Sequence, residues 1–431
     1  MDLKNKPNPK IILPHSIIDT EIPFSGYLLG YYVPSTNIYN VLPEKSNLDT
    51  DTTKSQYIGF VFQNNLLEQL PEDILNGIKL LKPNLQSGTS RIERLVSKQE
   101  QRHVDFEKVF NTIKPMLPAA MLPYAFSEEF LVGFWRNGEL HFIQVGTLTE
   151  VEVEVYSLTL DVFSRNTGIL ESEIMLEKGA MFIGCGSVGS LVAVELAKAG
   201  VGRFMLIDND IFGYHNICRH QCGIYDVGRY KVDAVADRIL QINPYATIIK
   251  RHVPVQDVDR DEIEKFLGNN SIIIGGADNR EGDLYANQFS IKLSIPFLSI
   301  GCWERAFAGE IFYSLPPDMP DYNDFIVAIG YTSGRVTQNR RFYTTETDLE
   351  KVSFEPGISA DINFVTIIAV KLAIDILNKD TENYTPRLLP YLSQYTLVCN
   401  TNNTKLGGDQ AAIFSYPLQV TTSIKVPYAK R

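Results

Sequence analysis

Residues 180–208 read AMFIGCGSVGSLVAVELAKAGVGRFMLID, and this stretch decides the fold. The apolar run Ala180–Ile183 enters a glycine-rich turn, the spacing over Leu191–Ala199 is helical, and Arg203–Ile207 is a second apolar strand. Strand, helix and strand in that order form the unit of a mostly parallel sheet. The turn is Gly184-Cys185-Gly186-Ser187-Val188-Gly189, a G-x-G-x-x-G, and Asp208 ends the next strand nineteen residues beyond Gly189. Glycines there let backbone approach a phosphate at a helix N-terminus, and the acid suits a ribose hydroxyl. A purely structural turn is the alternative, and the motif does not decide which nucleotide would bind.

Downstream the alternation continues. A helix is expected over Lys231–Gln241, stopped near Asn243-Pro244, followed by a strand over Thr247–His252, a buried strand Ser271–Gly275, a helix Tyr285–Leu293 and a strand Pro296–Ile300. The segment Pro316–Pro356 is polar and aromatic with little periodicity and reads as a long functional loop. Asp361–Asn378 is helical in spacing with Asp361 as a capping carboxylate, and strand-like runs return from Tyr395. Upstream, Gly26–Val33 and Tyr57–Phe62 read as strands, and Phe130–Val145 reads as a hairpin turning at Asn137-Gly138. Asn47–Ser55 reads as a loop, Ser90–Phe110 as a charged helix, and Asp105–Lys114 carries the spacing of a core-facing helix. Two domains are expected: an N-terminal α+β domain over residues 1–158, and an α/β domain over 159–431 built on a Rossmann-like, mostly parallel sheet.

The 431 residues include 40 basic and 51 acidic side chains, a net charge of −11, which opposes a broad surface for nucleic acid or anionic lipid. Five cysteines, Cys185, Cys218, Cys222, Cys302 and Cys399, are too few and too odd in number for a disulfide framework and favour a reducing compartment. The opening MDLKNKPNPK has no apolar signal core, and no apolar run reaches the ~18 residues of a membrane span. The expectation is a cytoplasmic protein with neither nucleic acid nor membrane as partner.

After Asp208-Asn209-Asp210 come Asn216, Arg219 and, past a turn at Gly228, Lys231; Asp278-Asn279 follows the SIIIG strand. An NAD enzyme has no need of an Asn, an Arg, a Lys and a second Asp around the phosphates. A nucleotidyl-transfer enzyme does, because Arg and Lys neutralise charge on a triphosphate being split and an acid at a strand's C-terminal end holds Mg²⁺.

Over residues 160–378 the chain resembles the ThiF/MoeB/HesA superfamily of ubiquitin-activating-enzyme-like adenylyltransferases, through FSRN, MFIGCGSVGS, LIDNDIFGYHNICRH, DVGRYK and GADNR in order. The resemblance implies binding of ATP with Mg²⁺ and adenylation of the C-terminal carboxylate of a ubiquitin-like protein or peptide, with release of pyrophosphate. It assigns Gly184, Gly186 and Gly189 to the nucleotide turn, Asp208 to the ribose, Asn216, Arg219 and Lys231 to the phosphates, and Asp278 to Mg²⁺. Asp210 matches a family acid near the ATP. Arg165 matches an arginine that reaches the partner subunit's ATP in family dimers, which implies a homodimer.

The departures are informative. Arg-Asn stands for the usual Arg-Gln at Arg165-Asn166, and His220 follows Arg219 where Gln is common. Many members carry two C-x-x-C pairs for zinc; this chain has none, so structural zinc is not expected. Cys218-Arg219-His220-Gln221-Cys222 is too tightly spaced for a zinc clamp and reads as packing around Arg219, and His215 as an exposed loop residue. Members that pass the acyl group on as a thioester place a cysteine in the crossover loop, and Pro316–Pro356 contains none. Cys302 is therefore the candidate nucleophile, ahead of Cys399, against the alternative of a buried core cysteine. The long N-terminal extension and the RH pair resemble bacterial ubiquitin-like conjugation systems associated with phage defence, with a conjugating enzyme as a further partner. Two rival readings stay open: an NAD-dependent oxidoreductase, and a non-catalytic scaffold that holds a ubiquitin-like protein.

Overall fold

The computed structural model describes residues 7–43, 56–75, 78, 111–119, 122, 127–157, 161–277, 280–330 and 356–424. The chain divides into two compact units, Met1–Val162 and Phe163–Arg431. The expected loop over Asn47–Ser55 and helix over Ser90–Phe110 lie outside the described residues, as does most of Asp105–Lys114.

In the first unit the described strands are β1 (Lys10–Pro14), β2 (Gly26–Val33), β3 (Ile38–Val41), β4 (Gln56–Phe62), β5 (Leu131–Arg136), β6 (Glu139–Gln144) and β7 (Thr149–Tyr156). They close into a barrel in the order β1-β3-β2-β4-β5-β6-β7, and β1 completes it by pairing in parallel with β7. Period-2 alternation gives the barrel two apolar layers. Ile11, Leu28, Tyr39, Val61, Leu131, Phe142 and Val151, one from each strand, share the interior. Val132 and Phe134, pointing the other way from β5, pack on Leu66, Leu70, Ile74 and Ile113 of short helical turns outside. The α+β character of this region thus takes the form of a closed barrel with helical turns over one side. The β5–β6 hairpin turns at Asn137 and Gly138, both at positive φ (53° and 81°), as its sequence demands.

The second unit is an α/β domain. Its described strands are β8 (Gly179–Ile183), β9 (Arg203–Ile207), β10 (Thr247–Arg251), β11 (Ser271–Gly275), β12 (Phe297–Cys302), β13 (Ala308–Ser314), β14 (Tyr395–Cys399) and β15 (Gln419–Ile424), in the order β10-β9-β8-β11-β12-β13-β14-β15. The first five in that order are parallel and the rest antiparallel. Every residue of β8 and β11 is buried, because helices cover both faces of a parallel sheet. The helices that matter for the site are α1 (Ser187–Lys198), α2 (Lys231–Leu240), α3 (Arg260–Phe266), α4 (Arg280–Leu293), α5 (Tyr322–Ile329) and α6 (Ser359–Leu377), with α6 packed against α1. The chain builds β8, β9 and β10 outward in one direction and then crosses back to lay β11 on the other side of β8. Such a reversal opens a crevice at the carboxyl ends of the strands.

Three details differ from expectation. Asp361 lies within the first turn of α6 and is not its cap; the N-cap position is Ile358, with no side-chain cap. Helix α4 begins at Arg280 rather than Tyr285. Helix α5 occupies part of the segment read as an irregular loop: Asp321 accepts the amides of Asn323 and Asp324 (2.8 and 3.1 Å), and Tyr322, Phe325 and Ile326 are buried. That capping carboxylate followed by apolar residues at i, i+3 and i+4 is a helix start hidden by the polar composition around it. No helix among the described residues is long and apolar enough to cross a membrane.

Candidate active site

The crevice is a cavity of about 780 Å³ at the C-terminal ends of β8, β9, β11 and β12. Gly184, Gly186 and Ser187 enter it after β8, Asp208 and Asp210 after β9, Gly276 and Ala277 after β11, and Cys302 at the end of β12. Asn216, His215, Arg219 and Lys231 line it from the connection that follows β9.

Close backbone contact explains the glycines. Gly184 has φ +92°, and a Cβ there would stand 3.1 Å from the backbone of Gly276 and Ala277. A Cβ on Gly189 would lie 2.0 Å from the Gly184 carbonyl oxygen, so that position is closed to any side chain. Gly186 is different: a Cβ there meets nothing within 4 Å. It is the N-cap of α1 and borders the cavity, so the space a side chain would fill is the space a ligand would use. Ser187 and Val188 of the first turn of α1 also line that space, and the first amides of a helix have no intrahelical partner, the usual arrangement for binding an anion.

Asp208 holds this turn from the neighbouring strand. One carboxylate oxygen accepts the Cys185 amide at 2.7 Å and the other accepts the Asp210 amide at 2.8 Å. Burial raises its pKa, opposed by those two amides and by the charge of Lys231. Lys231, twenty-one residues beyond Asp210, is brought back by a short ladder: Phe212 donates to the Arg229 carbonyl (2.8 Å), Gly228 to that of Phe212 (2.9 Å) and Lys231 to that of Asp210 (2.9 Å). Gly228 makes the turn at φ +90°, a conformation that favours glycine. The Lys231 ammonium then pairs with Asp210 Oδ2 at 2.6 Å. Asn216 closes its own turn, its Oδ1 accepting the Gly213 amide at 2.9 Å, and Arg219 follows one turn later.

The structure therefore brings Gly184, Gly186, Asp208, Asp210, Asn216, Arg219, Lys231 and Cys302 to one cavity, with Gly189 packed directly behind them. Arg165 is exposed on a turn whose neighbour Asn166 donates to the Lys198 carbonyl at 2.9 Å. That anchor is the C-terminal end of α1, so the twelve-residue helix separates it by roughly 18 Å from the turn at Gly186. Arg165 does not line the cavity of its own chain. Asp278 lies outside the described residues.

All five cysteines are free thiols. Burial pushes the thiols of Cys185 and Cys399 up and that of Cys222 up to about 12, which makes them poor nucleophiles. Cys218 is exposed, and Cys302, half-buried, is the one that lines the cavity. In the stretch Cys218–Cys222 both ring nitrogens of His220 are engaged with backbone: Nδ1 accepts the Cys222 amide (3.1 Å), which leaves Nε2 to donate to the Cys185 carbonyl (2.7 Å). The ring is thus unavailable to a metal. The sequence marks His220 only as a residue standing where Gln is common; nothing in the local pattern says that it touches the glycine turn thirty-five residues away.

The model of the ThiF family matches residues 167–404, more than half of the chain, and the chain belongs to that family. The sulfur carrier protein ThiS adenylyltransferase of Bacillus subtilis is 33% identical over 129 residues, covering 29% of this chain and 38% of that protein. The ubiquitin-like modifier-activating enzyme 5 of Bombyx mori is 28% identical over 183 residues, covering 40% of this chain and 46% of that one. The chain therefore spans less than half the length of these curated relatives. Among solved structures, that of Escherichia coli MccB with ATP is similar at 19% identity, TM-score 0.41, over 56% of this chain and 68% of that one.

Proposed function

We propose that the protein adenylates a carboxylate with ATP, and that this carboxylate is the C-terminus of a ubiquitin-like protein or peptide. The observation that carries the reading is the convergence of the glycine turn, Asp208, Arg219, Lys231 and Cys302 on one cavity at the switch point of the sheet. A dinucleotide oxidoreductase would use the turn and Asp208 but leave Arg219 and Lys231 without a task. The family relatives support the substrate class, being named for ThiS adenylation and for activation of a ubiquitin-like modifier.

In this mechanism the adenosine ribose meets Asp208 and the phosphates lie over Gly184–Ser187 between Asn216, Arg219 and Lys231. The ionised carboxylate attacks the α-phosphorus, forming a carboxyl–phosphorus oxygen bridge. The bond to the β-phosphate breaks and pyrophosphate leaves with its electron pair. No proton moves, so no general base is required, and His215 has no catalytic task. Lys231 and Arg219 offset the charge growing on pyrophosphate, and Arg165 does so from the partner subunit of a homodimer. Mg²⁺, for which Asp278 is the expected ligand, would supply further charge neutralisation at the phosphates. Cys302 then accepts the acyl group as its thiolate, with AMP as leaving group, ahead of a conjugating enzyme. The resemblance to bacterial ubiquitin-like conjugation systems supports a role in phage defence.

Two measurements test the reading. Calorimetric titration should show binding of Mg·ATP and not of NAD, and the reverse result removes the adenylation reading. Intact-mass spectrometry under non-reducing conditions, with Mg·ATP and a candidate ubiquitin-like protein, should show a thiol-labile adduct that Cys302→Ala abolishes. An adenylated carrier with no enzyme adduct would return Cys302 to a packing role.

A further inference from the structure

We infer that His220 is a positioning residue for the nucleotide, acting as a strut between the glycine turn and the segment that carries Asn216 and Arg219. This rests on the adenylation reading and deepens it.

The argument begins with Cys185, the residue between Gly184 and Gly186. Its amide is held by the Asp208 carboxylate and its carbonyl by His220 Nε2, each at 2.7 Å, so both sides of this residue are fixed by side chains from outside the turn. Glycines on both sides leave the turn little stiffness of its own. The shape offered to a phosphate therefore depends on these two clamps. Asp208 reaches the turn from the end of β9. His220 reaches it from the opposite partner, the Asn216–His220 turn, in which Arg219 and His220 both donate amides to the Asn216 carbonyl (3.1 and 3.0 Å).

The ring is itself placed without slack. It is buried, its Nδ1 accepts the Cys222 amide, and it lies edge-on to Phe212 with centroids 4.9 Å apart. One side chain thus ties the backbone on which the α-phosphate side of a nucleotide would rest to the backbone that aims Asn216 and Arg219. A side chain must donate at one end and accept at the other, uncharged, to do this; histidine does so as the Nε2–H tautomer, and the glutamine amide is the nearest alternative.

The experiment compares wild type with His220→Gln, His220→Leu and His220→Phe, by equilibrium titration with Mg·ATP and by steady-state pyrophosphate release. For the two apolar variants the expected result is a weakening of Mg·ATP binding and a rise in KM for ATP of about tenfold to a hundredfold, with kcat changed far less. The Gln variant should recover most of the loss. His220→Phe keeps a ring against Phe212, so it isolates the hydrogen bonds from packing. If neither apolar variant folds, His220→Asn serves in their place, being too short to span both partners, and must bind Mg·ATP more weakly than Gln. Folded apolar variants with wild-type affinity, or a Gln variant as weak as Leu, would overturn the inference while the adenylation reading stands. Wild-type protein that binds no Mg·ATP overturns both.

Discussion

The Lys231 ammonium stands 2.6 Å from the Asp210 carboxylate, and the two residues differ sharply in exposure: 11% for the lysine side chain against 60% for the aspartate. The lysine is directed along the cavity wall and its counter-ion sits in solvent, so the pair is an ion pair of surface type that a triphosphate can displace. Solvent screening limits its contribution to stability to about 1 kcal/mol or less.

Activity and stability should therefore separate at Lys231. Lys231→Ala is expected to lower the rate of adenylation by about a hundredfold or more, the scale of losing one charged donor to the transition state. Its unfolding free energy in urea should stay within about 1 kcal/mol of wild type. A large loss of stability would mean that the lysine is structural and that the phosphate assignment is wrong.

The two glycines nearest α1 should separate in the same way, for steric reasons. Gly189→Ala forces a Cβ to 2.0 Å from a backbone oxygen, and a destabilisation of about 2 kcal/mol or more is expected, visible as a lower melting temperature. Gly186→Ala meets no atom within 4 Å, so the melting temperature should hold while the affinity for Mg·ATP falls. Unchanged affinity in Gly186→Ala would show that no ligand approaches that turn.

Much of this site was legible in the sequence because backbone requirements write themselves into residue type. Gly184 at positive φ, Gly189 against a carbonyl, Asn137-Gly138 in a hairpin and the unbroken apolar runs of β8 and β11 each leave a local trace. The barrel was not legible, since strands such as β1 and β7 pair across more than a hundred residues and closure is a long-range property. Nor was helix α5, whose capping Asp321 is embedded in Pro-rich polar sequence. His220 illustrates the deeper limit: its burial and its contact with Cys185 follow from how two loops meet, which no spacing encodes.

Acid should weaken the fold through His220. Burial, the leading cause, lowers its pKa from 6.5 to about 4, with the Lys231 charge acting in the same direction and the Cys185 carbonyl and Asp226 opposing. A base with a depressed native pKa binds more protons when unfolded, so its contribution is complete above pH 6.5 and is lost as pH falls toward 4. At pH 5 the unfolded state gains about 2 kcal/mol from protonating this residue. Urea unfolding at pH 7 and pH 5 should show that much less pH dependence in His220→Gln than in wild type. Equal slopes in the two proteins would mean that the ring is protonated in the native state.

Arg165 supplies the last prediction, because α1 keeps it from the cavity of its own chain and the proposed role therefore requires a second chain. Its turn is fastened to Lys198 at one end of the helix while Gly186 and the cavity lie at the other, roughly 18 Å away. An arginine side chain spans less than half that distance, so in its own chain it has nothing to do at the phosphates. In a two-fold dimer, Arg165→Ala and Lys231→Ala disable different sites: the first removes the cation offered to the partner, the second the cation in its own cavity. Each variant alone should keep about a hundredth of wild-type activity or less. When the two are mixed and allowed to exchange subunits, half of the dimers are mixed, and each of these carries one intact site. Activity should return to about a quarter of wild type, as the statistics of a symmetric dimer require. No recovery under demonstrated exchange would restrict Arg165 to its own chain and remove it from the mechanism.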